Sequence, residues 1–192
     1  MKFSLQKIRN DDKINKNIIK VMIVLYIILL IWVIVFKCNY NEGLHIERNR
    51  GMSILERLEY KAIPFEKFIT AVQKKGILGT IETVALIFNV ICFLPFGVLL
   101  RFFTDKKWAI VGAGALFSLC VEVFQLFSCW GGPDLMDIML NTLGTLIGVW
   151  MFDKIAPKLK SQTINQLAFW GSVAVSPFVL FAIINSIINF PQ

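Results

Sequence analysis

Long apolar stretches alternate with short polar segments along most of the chain. The apolar stretches cover approximately residues 18–36, 81–103, 108–129, 134–152 and 164–190. At about 1.5 Å rise per residue, each is long enough to cross a hydrocarbon core of roughly 30 Å as a helix. Because the stretches are continuous, they are typical of helices and not of barrel strands. The sequence therefore predicts an all-α membrane protein with about five transmembrane helices.

The first apolar stretch follows a basic segment, as the apolar core of a signal peptide does. It is longer than such a core, and residues 37–40 (KCNY) offer no small-residue cleavage site. We therefore predict a retained first span. The polar loop at residues 37–80 carries mixed charges. Apolar spacing within residues 54–58 and 63–69 predicts short amphipathic helices that lie along the membrane surface.

Basic residues gather in the N-terminal tail, in the link between the second and third spans, and in the link between the fourth and fifth. With five spans these segments lie on one side, which the positive-inside rule assigns to the cytoplasm. We therefore predict a cytoplasmic N-terminus and an extracytoplasmic C-terminus. The basic residues are Lys2, Lys7, Arg9, Lys13, Lys16 and Lys20 in the tail, then Arg101, Lys106 and Lys107, then Lys154, Lys158 and Lys160.

The net charge of +7 does not indicate a nucleic-acid partner, because the basic residues lie between apolar stretches and not along one amphipathic face. The expected surrounding is a lipid bilayer. The four cysteines show no CxxC spacing and the chain has one histidine, so a zinc site has little to build on. Cys38 and Cys129 both lie outside in the predicted topology and are able to pair, although unpaired packing cysteines are the simpler explanation. Cofactors stay unassigned.

Two neighbouring spans each carry polar residues three or four positions apart, which places them on one helix face. Since the turn between these spans is short, residues equally distant from Gly131 and Gly132 are expected at equal depth. Asn89 of the second span lies at a similar depth and is the predicted third wall. The predicted contacts are Glu122 with Asn141, Gln125 with Asp137, Cys129 with Asp134, and Ser118 with Thr145.

Burying a carboxylate at mid-helix costs roughly 2.5 to 3.5 kcal/mol, so the acidic residues need an explanation. Asp134 is explained as the N-cap of the fourth span. Glu122 lies in the latter half of its helix, and three explanations stay open: protonation, a bound metal ion, or an ion pair with an arginine of the outer loop. We favour a functional site over helix packing alone. The predicted ligand-binding residues are Asn89, Ser118, Glu122, Gln125, Asp134, Asp137 and Asn141, with Glu122 and Asp137 as catalytic candidates.

Three patterns together resemble the VanZ-like family, over about residues 60–152 of a single membrane domain 1–192. Residues 63–65 (IPF) also resemble that family's Pro-Phe element. The patterns are Asn89-Val90-x-x-Phe93-x-Pro95-x-Gly97, Ser118-x-x-x-Glu122-x-x-Gln125 and Asp134-x-x-Asp137-x-x-x-Asn141-x-x-Gly144-x-x-x-Gly148.

Two positions depart from the family's pattern. The family commonly has an arginine three residues before the first aspartate, where this chain has Gly131, and often an asparagine ahead of the Pro-Phe pair, where residues 61–63 read KAI. An arginine partner for the carboxylates is therefore missing from its usual place. The candidates to replace it are Arg48, Arg50 and Arg57.

The resemblance implies a bacterial plasma-membrane protein associated with resistance to glycopeptide or lipoglycopeptide antibiotics of the teicoplanin type. In one hypothesis, an outward polar pocket binds a lipid-linked cell-wall precursor or a lipidated drug. In a second, a membrane-embedded enzyme modifies a lipid head group or envelope precursor, with Glu122 and Asp137 as acid and base or as ligands of a divalent cation. In a third, the polar residues only fix helix register or form a path for a small solute.

Overall fold

The structure is a computed structural model that describes residues 10–36, 51–59, 73, 81–128 and 134–188. All regular structure within these residues is helical, which confirms the prediction of an all-α membrane protein. The helices are α1 (Lys16–Phe36), α2 (Ile54–Glu59), α3 (Ile81–Leu100), α4 (Lys107–Ser128), α5 (Leu135–Ile155) and α6 (Ser161–Ile188). A 3₁₀ turn, Ala156–Lys158, follows α5.

Four helical segments in the described part of the chain are long and apolar enough to cross a bilayer. The second predicted span corresponds to α3, whose described apolar part, Leu86–Leu100, is shorter. α3 ends before the predicted boundary because residues 101–103 tighten into a turn, in which the Phe103 N–H donates to the Leu100 carbonyl at 3.0 Å. The four segments are Lys16–Ile34, Lys107–Ser128, Leu135–Lys158 and Ser161–Ile184.

α5 packs closely against α3, because glycines let the two backbones approach each other. A Cβ atom added to Gly144 would overlap the carbonyl oxygen of Val90, and one added to Gly148 would overlap that of Leu94. Small residues at such contacts are the usual way in which membrane helices pack closely. Gly144 and Gly148 are therefore residues at which the backbones of α5 and α3 leave no room for an added side chain.

α4 packs against a neighbouring face of α5, and its two glycines differ in their surroundings. Gly114 lies against the side chain of Thr145, so that a Cβ would overlap the threonine hydroxyl and methyl groups. A Cβ on Gly112 would meet nothing within 4 Å. Gly114 is therefore a close-packing residue, whereas Gly112 lies on an exposed face of α4.

α1 and α6 form a second packed pair beside the group of α3, α4 and α5. Their first turns are joined by polar contacts: the Asn15 N–H donates to Asn165 Oδ1 at 2.8 Å, and Asn165 Nδ2 donates to the Lys13 carbonyl at 2.7 Å. The Tyr26 hydroxyl on α1 donates to the Cys92 carbonyl of α3, shortly before Pro95. Thus α1 connects the pair to the rest of the bundle.

α2 is a single short helix with a capping box at its start. The Ser53 N–H donates to Glu56 Oε2 at 2.6 Å, and the Glu56 N–H donates to the Ser53 hydroxyl at 3.3 Å. This confirms a helix within the predicted residues 54–58. Its position on the membrane surface stays a prediction, and the second amphipathic segment, residues 63–69, lies outside the described residues.

Candidate functional site

The structure brings polar side chains of α3, α4 and α5 together at the end of the bundle where α4 ends and α5 begins. We call these residues the polar cluster. All are at least 95% buried except Asp134 and Asp137, which are half-buried. The members are the seven predicted ligand-binding residues: Asn89, Ser118, Glu122, Gln125, Asp134, Asp137 and Asn141.

Asn141 on α5 and Ser118 on α4 form the innermost contact of the cluster. Asn141 Nδ2 donates to the Ser118 hydroxyl at 2.8 Å, and the Thr145 hydroxyl donates to the main-chain carbonyl of Asn141 at 3.0 Å. The side-chain oxygen Oδ1 of Asn141 is buried and has no hydrogen-bond partner among the residues that the structure describes. Burying an acceptor without a partner costs about 1–3 kcal/mol of folding stability, so this oxygen destabilises the folded protein.

Glu122 lies beside the start of α5. Its Oε2 atom accepts the Asp134 main-chain N–H at 2.7 Å, and Asp134 Oδ1 in turn accepts the Met136 N–H at 2.9 Å. Asp134 has extended backbone angles and is the N-cap of α5, as predicted. Both carboxylates therefore bind main-chain N–H groups at the positive end of α5, which favours negative charge there.

Asn89 of α3 closes the cluster on its third side. Its side-chain amide donates to Asp137 Oδ1, which confirms the prediction that α3 supplies a third wall. Gln125 does not reach Asp137 in this way: its Nε2 atom donates to the Ile34 carbonyl of α1 at 3.2 Å. The predicted contact between Gln125 and Asp137 is therefore wrong, and Gln125 joins the cluster to α1.

The other predicted pairings between α4 and α5 are shifted by one helical turn. Ser118 lies opposite Asn141 and not Thr145, and Glu122 binds the start of α5 and not Asn141. The prediction assumed that α4 ends and α5 begins at the same depth, and this assumption was wrong. α5 begins about one helical turn, roughly 6 Å, deeper in the bundle than the end of α4. The predicted contact between Cys129 and Asp134 involves a residue outside the described ones.

The arginines proposed as partners of Glu122 do not belong to the part of the chain whose side chains the structure describes. Gly131, Arg48, Arg50 and Cys38 lie outside the described residues, as does the side chain of Arg57. Among the residues that the structure does describe, no three histidine, cysteine or acidic side chains are grouped as a metal site requires. The cluster is instead a set of carboxylate, amide and hydroxyl groups suited to hydrogen bonding with a polar ligand.

A second charged group, at the opposite end of the bundle, was not predicted as a site, since Arg101 and Lys107 were used only to predict orientation and Asp153 was not considered. Arg101 Nε lies 2.9 Å from Asp153 Oδ1, and Lys107 Nζ lies 2.5 Å from Asp153 Oδ2. Arg101 and Asp153 are almost completely buried. We call these three residues the ion cluster. It joins the end of α3, the start of α4 and the end of α5.

Comparison with known proteins matches the chain to a family. The family model described as VanZ/LLP1 matches residues 23–156, a range that contains every member of both clusters. The chain belongs to the VanZ-like family. A VanZ-like relative, Protein VanZ of Enterococcus faecium, is 22% identical over 166 residues, which cover 83% of this chain and 88% of that protein. No solved structure matches.

Proposed function

We propose that this VanZ-like protein acts in the bacterial cell envelope, in resistance to glycopeptide or lipoglycopeptide antibiotics of the teicoplanin type or in envelope maintenance. In this proposal the polar cluster faces outward and binds the polar group of a lipid-linked cell-wall precursor or of a lipidated drug. The single observation that carries it is the buried Asn141 oxygen without a partner in the middle of the cluster.

The chemistry of the cluster favours a ligand that donates hydrogen bonds. The unpaired Asn141 oxygen is an acceptor, and the nearby Glu122 and Asp137 carboxylates are acceptors as well. Hydroxyl and amide N–H groups of a sugar or peptide head group would supply the donors. Such a donor would form a hydrogen bond with the unpaired oxygen. Binding would then recover the free energy that the folded protein loses by burying this oxygen without a partner.

The surroundings of the cluster favour a ligand that also has an apolar chain. Phe93, completely buried, lies one turn below Asn89 on α3 and packs against Phe117 of α4, with ring centroids 6.0 Å apart. The outer surface of α4 and α5 is apolar, with Phe127 and Leu135 more than half exposed. A chain attached to a head group in the cluster would therefore remain in the bilayer.

The distribution of charge supports an outward cluster. Arg101 and Lys107 lie at the end of the bundle opposite Asp134, and the lysine-rich link after α5 begins at that same end. The positive-inside rule places such an end in the cytoplasm. The N-terminus would then be cytoplasmic, and the polar cluster would be within reach of the outer membrane face.

The test combines drug susceptibility with direct binding. We expect loss of the protein to lower the inhibitory concentration of teicoplanin for its host, and Asn141→Leu to reproduce that loss at wild-type abundance in the membrane. In nanodiscs, the wild type should bind teicoplanin or a polyprenyl-linked precursor saturably, with Asn141→Leu weaker by roughly tenfold. Gln166→Leu, which replaces an exposed amide near the start of α6 at the other end of the bundle, is the matched control and should behave as the wild type.

Absence of saturable binding by the folded wild type would reject the ligand-binding proposal. The enzyme alternative makes a different prediction, because Glu122→Gln and Asp137→Asn keep the shape of the cluster but remove its acid and base. If both variants fold and protect fully, catalysis by these carboxylates is rejected. A changed envelope lipid or precursor, detected by mass spectrometry only when the wild type is present, would favour the enzyme.

A further inference from the structure

A cavity of about 220 Å³ lies between the α1–α6 pair and the α3–α5 pair, away from the polar cluster. Every residue that lines it is apolar, including Ile19 of α1, Phe102 after α3, and Ala168 of α6. A dry apolar cavity of about 150 Å³ is known to hold a benzene molecule, so this one has room for a segment of hydrocarbon. Water would find no hydrogen-bond partner there.

The cavity opens sideways toward the surface of the bundle. Ile155 of α5 and Leu167 of α6 both line it, and they are 46% and 59% exposed. In a bilayer these exposed side chains face lipid, because they belong to membrane-spanning segments. A lipid chain is therefore able to enter from the side without crossing the protein.

Positive charge surrounds the end of the cavity nearest the membrane surface. Exposed lysines alternate with lining residues: Lys154 precedes Ile155, and Lys158 and Lys160 flank Leu159. On α1, exposed Lys20 follows the lining residue Ile19. The acidic Asp153 does not offset this charge, since Arg101 and Lys107 of the ion cluster both pair with it.

We propose that this cavity holds one acyl chain of an anionic phospholipid, taken from the leaflet at the lysine-rich end of the bundle. The apolar walls bind the acyl chain. The lysines attract the phosphate electrostatically, as basic residues near an anionic membrane surface do. The occupant is a membrane lipid and not the ligand of the polar cluster, so this site does not depend on the proposed function.

The test uses the full chain in nanodiscs of equal phosphatidylglycerol and phosphatidylcholine, followed by native mass spectrometry. We expect the wild type to retain one phosphatidylglycerol molecule. Ala168→Phe fills the cavity and should reduce retention roughly tenfold. Val173→Phe, on the exposed face of the same helix, is the control for added bulk and should retain the lipid.

The charge contribution is tested separately with surface substitutions, which keeps the proposal falsifiable if Ala168→Phe does not fold. Changing Lys154, Lys158 and Lys160 to glutamine should lower the preference for phosphatidylglycerol over phosphatidylcholine by roughly tenfold or more, whereas arginine at the same positions should preserve it. Equal retention by folded Ala168→Phe and Val173→Phe, or equal retention of both lipids by the wild type, would overturn the proposal.

Discussion

Arg101 at the end of α3 and Asp153 near the end of α5 form a buried ion pair, with 2.9 Å between Nε and Oδ1. Each side chain is only 3% exposed. The second Asp153 oxygen pairs with Lys107 at the start of α4. Three helix ends are therefore held by one carboxylate, and the Arg101 guanidinium is also bound to the Thr104 carbonyl.

Removing the Asp153 charge should destabilise the bundle strongly. In Asp153→Asn, Arg101 remains buried without its buried carboxylate partner, which costs about 3–5 kcal/mol. Asp105→Asn is the control, because Asp105 is 66% exposed and its oxygen lies 3.6 Å from Arg101, so its loss should cost about 0–1 kcal/mol. Unfolding free energies in detergent micelles measure both. Similar small losses would show that the buried pair contributes little.

Ser118→Ala should destabilise the protein through Asn141. The substitution removes the hydroxyl that accepts the Asn141 amide hydrogen bond, so that both polar ends of a buried amide lack partners, at a cost of about 1–3 kcal/mol. Ser172→Ala is the matched control, since the Ser172 hydroxyl donates to the Ala168 carbonyl of its own helix.

A second substitution separates a lost hydrogen bond from a lost side-chain volume. Adding Asn141→Leu to Ser118→Ala replaces both polar partners by apolar groups and should recover most of the lost stability. The same micelle unfolding experiment measures the four variants of this cycle. If the double variant loses as much unfolding free energy as the two single variants together, Ser118 and Asn141 act independently. The hydrogen bond between them would then not contribute to stability.

The sequence predicted the helices well because a span needs a long apolar stretch, and the length of that stretch is visible along the chain. It also predicted that Asn89 forms the third wall of the polar cluster, since its depth could be placed by its distance from the start of its helix. The sliding of α4 along α5 was not predicted, because periodicity identifies a helix face but does not say how far the helix is displaced along its axis.

A signal for the displacement is present in the sequence at one position. Gly114 leaves room for the Thr145 side chain, and with those two opposite each other, Ser118 falls opposite Asn141. Choosing this register required knowing that Gly114 packs and Gly112 does not. The ion pair between Arg101 and Asp153 was missed for a related reason: charges at span ends are expected, and only tertiary packing shows that these two meet.

Glu56 should make α2 sensitive to acid. The Ser53 main-chain N–H, and then the Ser53 hydroxyl, hydrogen-bond to its side chain and lower the pKa of Glu56 below the ordinary value of 4.5. A lowered pKa in the folded state means that the stabilisation is present above the ordinary pKa and is lost as the pH falls through the lower one. Hydrogen-exchange protection of residues 54–59 should therefore fall as the pH drops below the ordinary pKa of 4.5.

The control for this pH effect is Glu56→Gln. Glutamine keeps the shape of the capping box but does not titrate, so protection of residues 54–59 should be independent of pH over the same range. Protection factors corrected for the intrinsic exchange rate provide the comparison. A pH dependence that persists in Glu56→Gln would assign the effect to another group.

Gly148→Ala should separate α3 from α5. The added Cβ would overlap the carbonyl oxygen of Leu94, and a helix backbone cannot move aside as a flexible side chain can. Overpacking of this kind costs about 1–3 kcal/mol or more. Because Asn89 lies on α3, its hydrogen bond to Asp137 should weaken as well, so ligand binding by the polar cluster should fall together with stability.

Gly112→Ala provides a control with the same chemical change and the opposite surroundings. Its Cβ would meet nothing within 4 Å, and alanine favours a helix over glycine by about 1 kcal/mol, so this variant should be as stable as the wild type or more stable. Unfolding free energies in micelles should therefore move in opposite directions for the two substitutions. Equal effects of the two would mean that helix propensity, and not the contact between α3 and α5, determines the response to alanine.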